Sequence, residues 1–261
     1  MSKLAINGGN PVRTKDFPEW PQDNKKMASN LKKVLNSNDW GTRGPQVEKF
    51  ERRFAEYQDS DYGLTITNGT VTMEIALRAL GIGYGDQVIV PPYSFNATVS
   101  AVAMVNATPV FVDIERDTFN IDPEKINQAI TANTKAIIAV HVGGRPADLD
   151  TLKEIADQND LYLIEDCAHA HGSEWKNKRV GSIGHVGSFS FQNSKVLPAG
   201  EGGFLTVNDE ETYDKIYSIH HCGRAKQGEW YSHFNLGTNA RMTEWQGAIL
   251  NAGLDKIDEE I

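Results

Sequence analysis

The chain alternates between short apolar runs and segments in which apolar residues recur with helical spacing. Apolar runs rich in β-branched residues are typical of strands buried on both faces. They predict strands at 64–67, 87–91, 108–113, 135–142, 161–166, 187–192 and 203–207. The helical spacing predicts helices at 70–80, 96–105, 122–130 and 147–159, the third opening with Asp122 as its cap and Pro123 in its first turn.

Strands that alternate with helices predict an α/β fold in which helices cover both faces of a mainly parallel sheet. We therefore expect a three-layer α/β/α architecture around a seven-stranded sheet. No internal repeat or low-complexity linker divides the chain. The economical organisation is an N-terminal arm at 1–25 followed by one domain at 26–261.

Composition narrows the function. The 261 residues are 39% hydrophobic and 23% charged, which is ordinary for a globular protein. A formal net charge of −9 argues against nucleic acid or an anionic membrane as the main partner. No run of about 18 apolar residues and no apolar leader occur, and neither the two cysteines nor the seven histidines have the spacing of a metal site. A cytoplasmic enzyme without a bound metal is the expectation.

Ligands of such sheets bind beyond the carboxyl ends of the strands, so the residues just after each strand are the candidates for a site. Asn68-Gly69-Thr70 opens a helix and suits a phosphate, although an ordinary capped helix would look the same. Phe95 comes after the second strand and is either an aromatic plate at that edge or a core residue. Asp166 ends the fifth strand, where a carboxylate needs a cationic or hydrogen-bonding partner, in a structural ion pair or in catalysis.

One lysine has an unusual setting. In the stretch SFSFQNSKVLPAGEGG, Lys195 lies between a strand and a glycine cluster, whereas most lysines lie on solvated faces. No G-x-G-x-x-G comes after a strand, and neither a Walker motif nor a G-x-S-x-G elbow occurs, which weakens a nucleotide-binding Rossmann interpretation. A helix N-terminus, an aromatic ring, an acid and a lysine at one edge suit pyridoxal 5'-phosphate (PLP), which lysine joins covalently.

Seven stretches of the chain together match the motifs of one known family: NGT, VIVPPYSFNATVSAV, ATPVFVDIERDTFNIDPEKI, AVHVGGRPADLD, IEDCAHAHGSEWKNKRVGSIG, SFSFQNSKVLPAGEGG and GTNARMTEWQGAIL. Through them the chain resembles the DegT/StrS family of PLP-dependent sugar and aminocyclitol aminotransferases, which have the aspartate-aminotransferase fold (fold type I). The resemblance implies a PLP-binding large domain at 26–261, without the smaller C-terminal domain of the family.

The resemblance assigns roles around the cofactor ring. Lys195, in K-x-L-x-x-G-E-G-G, matches the Schiff-base lysine, and Asp166, in E-D-x-A, matches the acid on the pyridine nitrogen. Phe95 matches the ring that stacks on the cofactor, and His169 the residue near its phenolic oxygen. We expect a lowered pKa for Lys195, because a poorly solvated amine loses its proton more readily.

The resemblance also assigns residues to the phosphate group of the cofactor. Gly69, Thr70 and Ser190 match phosphate-binding positions of the same subunit. Asn239, in G-x-N-x-R, matches the residue lent to the neighbouring subunit, which implies a homodimer with shared active sites. The alternative for Asn239 is a cap on the helix that begins near Glu244.

A lysine rather than a histidine at 195 favours transamination over the dehydration of some family members. The implied reaction moves an amino group from glutamine or glutamate to a keto-sugar or keto-cyclitol. The stretches FQNSK and HHCGR favour the aminocyclitol and aminobenzoate branch over the nucleotide-sugar branch. A truncated or degenerate PLP-fold module without turnover is the alternative.

Overall fold

The computed structural model describes residues 3–22, 24–41, 43–227, 229 and 231–261. Each of the seven runs predicted to be strands forms a strand of one sheet, and a two-stranded hairpin (β6 and β7) comes after β5. The strands are β1 (Tyr62–Ile66), β2 (Gln87–Val90), β3 (Thr108–Phe111), β4 (Thr134–Val140), β5 (Tyr162–Asp166), β6 (Glu174–Trp175), β7 (Lys178–Arg179), β8 (Val186–Ser190) and β9 (Gly203–Val207).

The large sheet has the strand order β1-β9-β8-β5-β4-β2-β3. Only β9 runs antiparallel to its neighbours β1 and β8, and the other pairs are parallel. The prediction of a mainly parallel sheet is confirmed. Since β5 and β8 are parallel neighbours, with Asp166 opposite Ser188, their carboxyl ends lie side by side at one edge.

Nine α-helices occur in the described residues, together with 3-10 turns at Ala5–Asn7 and Val142–Gly144. The helices are α1 (Lys25–Ser37), α2 (Pro45–Tyr57), α3 (Gly69–Ala79), α4 (Ala97–Met104), α5 (Pro123–Ile126), α6 (Leu149–Gln158), α7 (Glu210–His220), α8 (Glu244–Leu254) and α9 (Ile257–Glu260). All four predicted helices form, but the predicted length of the third is wrong. Asp122 caps α5 as expected, and the helix ends at Ile126, where Ala129 N–H donates to the Ile126 carbonyl in a tight turn (2.9 Å).

Helices cover both faces of the sheet, which confirms the three-layer prediction. On one face, Phe50 and Phe54 of α2 pack with Phe189 of β8 and Phe204 of β9. On the other face, residues of α3 and α7 pack against β1, β8 and β9, and residues of α3 and α4 pack against β2, β4 and β5. This division between the faces follows from the two-residue period of strand side chains, which sends neighbours to opposite layers.

None of the helices in the described part of the chain is both long and apolar enough to span a bilayer.

Candidate functional site

The predicted phosphate residues meet at the carboxyl edge of the sheet. Gly69 begins α3, and a Cβ built on it would lie 2.8 Å from the Ser190 Cβ at the end of β8. That distance is too short for any side chain, so a glycine is required for α3 to approach β8. The Thr72 hydroxyl in the first turn of α3 lies 2.6 Å from the Ser188 hydroxyl and fastens the helix to the strand.

The first turn of α3 carries its own side-chain cap. Asn68 Oδ1 accepts the N–H groups of Thr70 at 3.1 Å and Val71 at 2.9 Å. The Thr70 N–H is therefore not free in this structure, and the first turn of α3 has the ordinary cap that the sequence allowed as an alternative. Thr70 itself is exposed at the edge, so its hydroxyl is accessible to a ligand.

Lys195 lies in the turn that leaves β8, where its N–H donates to the Gln192 carbonyl (2.9 Å). The side chain is half-buried, and burial lowers the pKa of Lys195, while the negative charge of Asp166 acts in the opposite direction. The expected direction of the shift is confirmed. Gly200 takes a positive φ of 82°, and a Cβ on Gly203 would lie 2.6 Å from the Asn68 backbone, so these glycines permit the close turn.

Lys195, Asp166 and His169 lie close enough for their charges to interact. Burial and the Lys195 charge lower the pKa of His169, and Asp166 opposes them. Three of the four residues that the resemblance places around the cofactor ring are therefore near enough to influence one another's charge. Phe95 lies on the loop before α4 and is 75% exposed, so the alternative that it is a core residue is wrong.

Asn239 is exposed and pairs with His221 in an isolated β-bridge. The next residue, Ala240, accepts the Thr67 N–H through its carbonyl at 3.0 Å, so this segment lies beside the end of β1. The cap of α8 is Thr243, which forms a capping box with Gln246. The alternative that Asn239 caps this helix is therefore wrong, whereas its predicted role in a neighbouring subunit stays a prediction.

Two hydroxyl groups that the sequence did not indicate reach the site. Thr98 Oγ1 donates to Asp166 Oδ2 at 2.8 Å, and the Ser94 and Thr98 hydroxyl oxygens are 2.6 Å apart. The other carboxylate oxygen, Oδ1, accepts the Ala168 N–H at 3.2 Å. A threonine in the first turn of a helix carries no signal of this kind, since its partner is 68 positions further along the chain.

Glu165, the acid next to Asp166, forms hydrogen bonds with a different set of groups. Glu165 is fully buried and accepts the N–H groups of Gly181 (2.7 Å), Ile183 (2.9 Å) and Gly184 (2.6 Å), and it contacts His141 Nε2 (3.1 Å). Burial raises the pKa of Glu165, but the hydrogen bonds from His141 and the backbone outweigh it, so the pKa is lowered overall.

A possible metal-ligand set overlaps this network. His141, Glu165 and Cys167 offer ligand atoms within 4.8 Å of one another. His141 Nδ1 accepts the Ala147 N–H at 3.1 Å, so the ring proton sits on Nε2 and points to Glu165. The Glu165 carboxylate thus accepts four hydrogen bonds. These bonds satisfy the polar atoms of the His141 and Glu165 side chains without an ion.

The site residues fit a phosphorylated aromatic ring. A close glycine contact and two hydroxyls, of Thr70 and Ser190, lie at the N-terminus of α3 and suit a phosphate. A half-buried lysine with a lowered pKa stands within charge range of a buried carboxylate, as a covalently held pyridine cofactor requires.

This fold is the one found in PLP-dependent aminotransferases, and the site residues suit the same cofactor. The chain belongs to the DegT/DnrJ/EryC1/StrS aminotransferase family, whose model matches residues 21–261. That family is PLP-dependent.

Related proteins agree with this assignment. A Micromonospora echinospora protein, provisionally named an L-glutamine:3-amino-2,3-dideoxy-scyllo-inosose aminotransferase, is 44% identical over 98% of this chain and 62% of its own length. The crystal structure of 3-amino-5-hydroxybenzoic acid synthase superimposes with a TM-score of 0.91 at 38% identity, over 95% of this chain and 65% of that one. A Streptococcus pneumoniae protein provisionally named a sugar aminotransferase, solved in its PLP form, gives a TM-score of 0.87 at 30% identity, over 94% of this chain and 68% of that one. The chain spans 62–66% of the length of the curated relatives it matches.

Proposed function

We propose that the chain is the PLP-binding part of an aminotransferase that moves an amino group from glutamine or glutamate to a keto-cyclitol or keto-sugar. The observation that carries the proposal is the setting of Lys195, half-buried, with a lowered pKa, and within charge range of Asp166. In this proposal residues 1–25 form an arm and residues 26–261 the PLP-binding domain.

Lys195 has two tasks. A lowered pKa leaves a larger fraction of the amine uncharged at neutral pH, which makes Nζ a competent nucleophile toward the cofactor aldehyde. With its nitrogen free, Lys195 would take a proton from the substrate carbon that bears the amino group and return it two atoms further along, a 1,3-proton shift. PLP, when bound, supplies an electron-accepting ring that stabilises negative charge on that carbon.

The remaining residues hold and orient the cofactor. Asp166 would direct its negative charge to the ring nitrogen and so favour the protonated nitrogen. Phe95, on the loop before α4, would stack on the ring, and His169 would lie near the phenolic oxygen. Gly69, Thr70 and Ser190 would bind the phosphate at the first turn of α3 and the end of β8.

Asn239 completes the phosphate site of a neighbouring subunit in a homodimer, since it is exposed and does not serve as a helix cap. We place the protein in the cytoplasm. Among these substrates we propose a keto-cyclitol as the acceptor of the amino group and glutamine as its donor. Support comes from the relative with an inosose aminotransferase name and from the benzoate synthase among the structural relatives.

PLP binding tests the proposal directly. The purified protein is titrated with PLP, and a visible absorption band is expected that borohydride bleaches with labelling of the Lys195 peptide. Lys195→Ala should lose the label, whereas the control Lys178→Ala, on the exposed hairpin β6–β7, should retain it.

Donor addition tests turnover. Glutamine or glutamate should remove the visible band in a single half-reaction, and a keto-cyclitol should restore it. Labelling at Lys195 without any response to donors would support a binding module without turnover. No labelling at Lys195 would refute the proposed function.

A further inference from the structure

Thr98 is a completely buried hydroxyl residue in the first turn of α4. Its Oγ1 lies 2.8 Å from Asp166 Oδ2 and 2.6 Å from the Ser94 hydroxyl. The contact with Asp166 therefore joins α4 to the end of β5, two elements that the chain order separates widely.

The number of available protons decides which group donates and which accepts in each of these contacts. A carboxylate can only accept, so the single hydroxyl proton of Thr98 must point to Asp166. The short contact with Ser94 then requires Ser94 to be the donor and Thr98 the acceptor. The proton order Ser94→Thr98→Asp166 is thus fixed by the chemistry of the three groups.

The same turn also carries the exposed aromatic ring. Phe95 is the residue after Ser94, and its carbonyl accepts the Thr98 N–H at 3.2 Å. One short segment therefore carries the exposed ring of Phe95 and contacts the buried carboxylate of Asp166 through Thr98.

We propose that Ser94 and Thr98 are positioning residues that aim the Asp166 carboxylate at the cofactor ring nitrogen and fix it relative to Phe95. The proposal rests on the proposed function, because it takes Asp166 as the acid on that nitrogen. Thr98 holds Oδ2 from one side, and the Ala168 N–H holds Oδ1 at 3.2 Å. The carboxylate is therefore fixed at both oxygens while retaining lone pairs for the ring nitrogen.

A purely structural role is the competing explanation. A buried threonine hydroxyl needs a partner in any fold, and loss of that partner would only destabilise the protein. The two explanations separate at the cofactor ring, because only a positioning role changes how firmly the ring nitrogen holds its proton.

The experiment uses Thr98→Val, which keeps the shape and removes the hydroxyl, and Thr98→Ser, which restores the hydroxyl. Each protein is loaded with PLP carrying ¹⁵N in the ring, and the ¹⁵N shift is followed against pH, with the PLP dissociation constant measured in parallel. Thr206→Val is the matched control, since Thr206 is also fully buried but donates to the Gly181 carbonyl.

We expect Thr98→Val to lower the pH at which the ring nitrogen loses its proton by about one unit, a tenfold change in proton affinity. PLP should bind more weakly by a similar factor, whereas Thr98→Ser should return both quantities to within about threefold of the parent. Ser94→Ala, which keeps the Thr98 hydroxyl but removes its orienting donor, should shift the midpoint in the same direction by less.

The outcomes separate the two proposals. If the parent protein forms no borohydride-reducible adduct at Lys195, the proposed function fails. If the parent forms it and Thr98→Val titrates like the parent, only the positioning role fails. An equal shift in Thr206→Val, or no rescue by Thr98→Ser, would also overturn it. If Thr98→Val does not fold, the half-exposed Ser94→Ala decides, and an unshifted midpoint there refutes the proposal.

Discussion

Replacement of Glu165 by glutamine should destabilise the fold strongly although it changes one atom. Oε2 faces His141 and the Gly181 N–H, and Oε1 faces the N–H groups of Ile183 and Gly184. An amide nitrogen at either position would be a hydrogen-bond donor that faces two other donors. His141 cannot adapt by moving its ring proton, because Nδ1 already accepts the Ala147 N–H.

The expected cost follows from the burial of these groups. Two buried donors left without an acceptor cost about 1–3 kcal/mol each, and more where the lost acceptor is an ionised carboxylate. We expect Glu165→Gln to lower the free energy of unfolding by about 3–5 kcal/mol. At a slope near 3 kcal/mol per M, the urea midpoint should fall by about 1 M or more.

Urea unfolding monitored by circular dichroism measures this cost. Glu154→Gln, on the exposed face of α6, is the matched control and should stay within about 0.5 kcal/mol. A loss below about 1 kcal/mol for Glu165→Gln would show that the network is easily rearranged, which contradicts this reasoning.

The same network predicts a pH dependence. The pKa of Glu165 is lowered in the folded protein, so its stabilising contribution is present above the pKa of the unfolded chain. The contribution is lost as pH falls through the lower folded value. Unfolding measured between about pH 5 and pH 3 should therefore show a stability loss in the parent that is smaller in Glu165→Gln. Identical slopes in both proteins would contradict the assignment.

Three further changes test the site. Asp166→Asn should slow the half-reaction with the amino donor by roughly 10²-fold while PLP content stays within about twofold, because the phosphate contacts are untouched; stopped-flow absorbance measures both. Gly69→Ala should weaken PLP and phosphate binding, since its Cβ would lie 2.8 Å from Ser190 Cβ, and a variant with parental affinity would show that this contact yields easily. Mixed Lys195→Ala and Asn239→Ala chains should regain PLP affinity at one site per hybrid dimer, and hybrids without recovery would refute a shared site.

The strands were predictable because buried parallel strands form continuous apolar runs that the sequence displays directly. Two helices near the N-terminus, α1 and α2, were not predicted. For α2 the signal existed, since Val47, Phe50 and Phe54 recur at helical spacing and all three are buried. Charged residues occupy six of the other ten positions of this helix and obscured the pattern.

The site was only partly predictable, for a physical reason. Lys195 and Asp166 stand beside strand ends and glycines, which are local features. Thr98 and His141 act through contacts with residues far along the chain, and a threonine or histidine carries no local mark of such a contact. His171 likewise carries no local mark of its surroundings. It is buried against Phe54, and burial lowers its pKa to about 3.

The two adjacent carboxylates of β5 differ in the hydrogen-bond acceptor capacity that they leave for a ligand. Side chains of successive strand residues point to opposite faces, so Glu165 and Asp166 meet different surroundings. An ionised carboxylate offers about four acceptor positions. Glu165 is fully buried and uses four, with His141 and three backbone N–H groups, which leaves none for a ligand. Within the described chain the Asp166 carboxylate accepts two hydrogen bonds, from the Thr98 hydroxyl and the Ala168 N–H, and Asp166 remains 9% exposed. A cationic ring nitrogen requires spare acceptor capacity at an accessible strand end, and of the two acids only Asp166 has it.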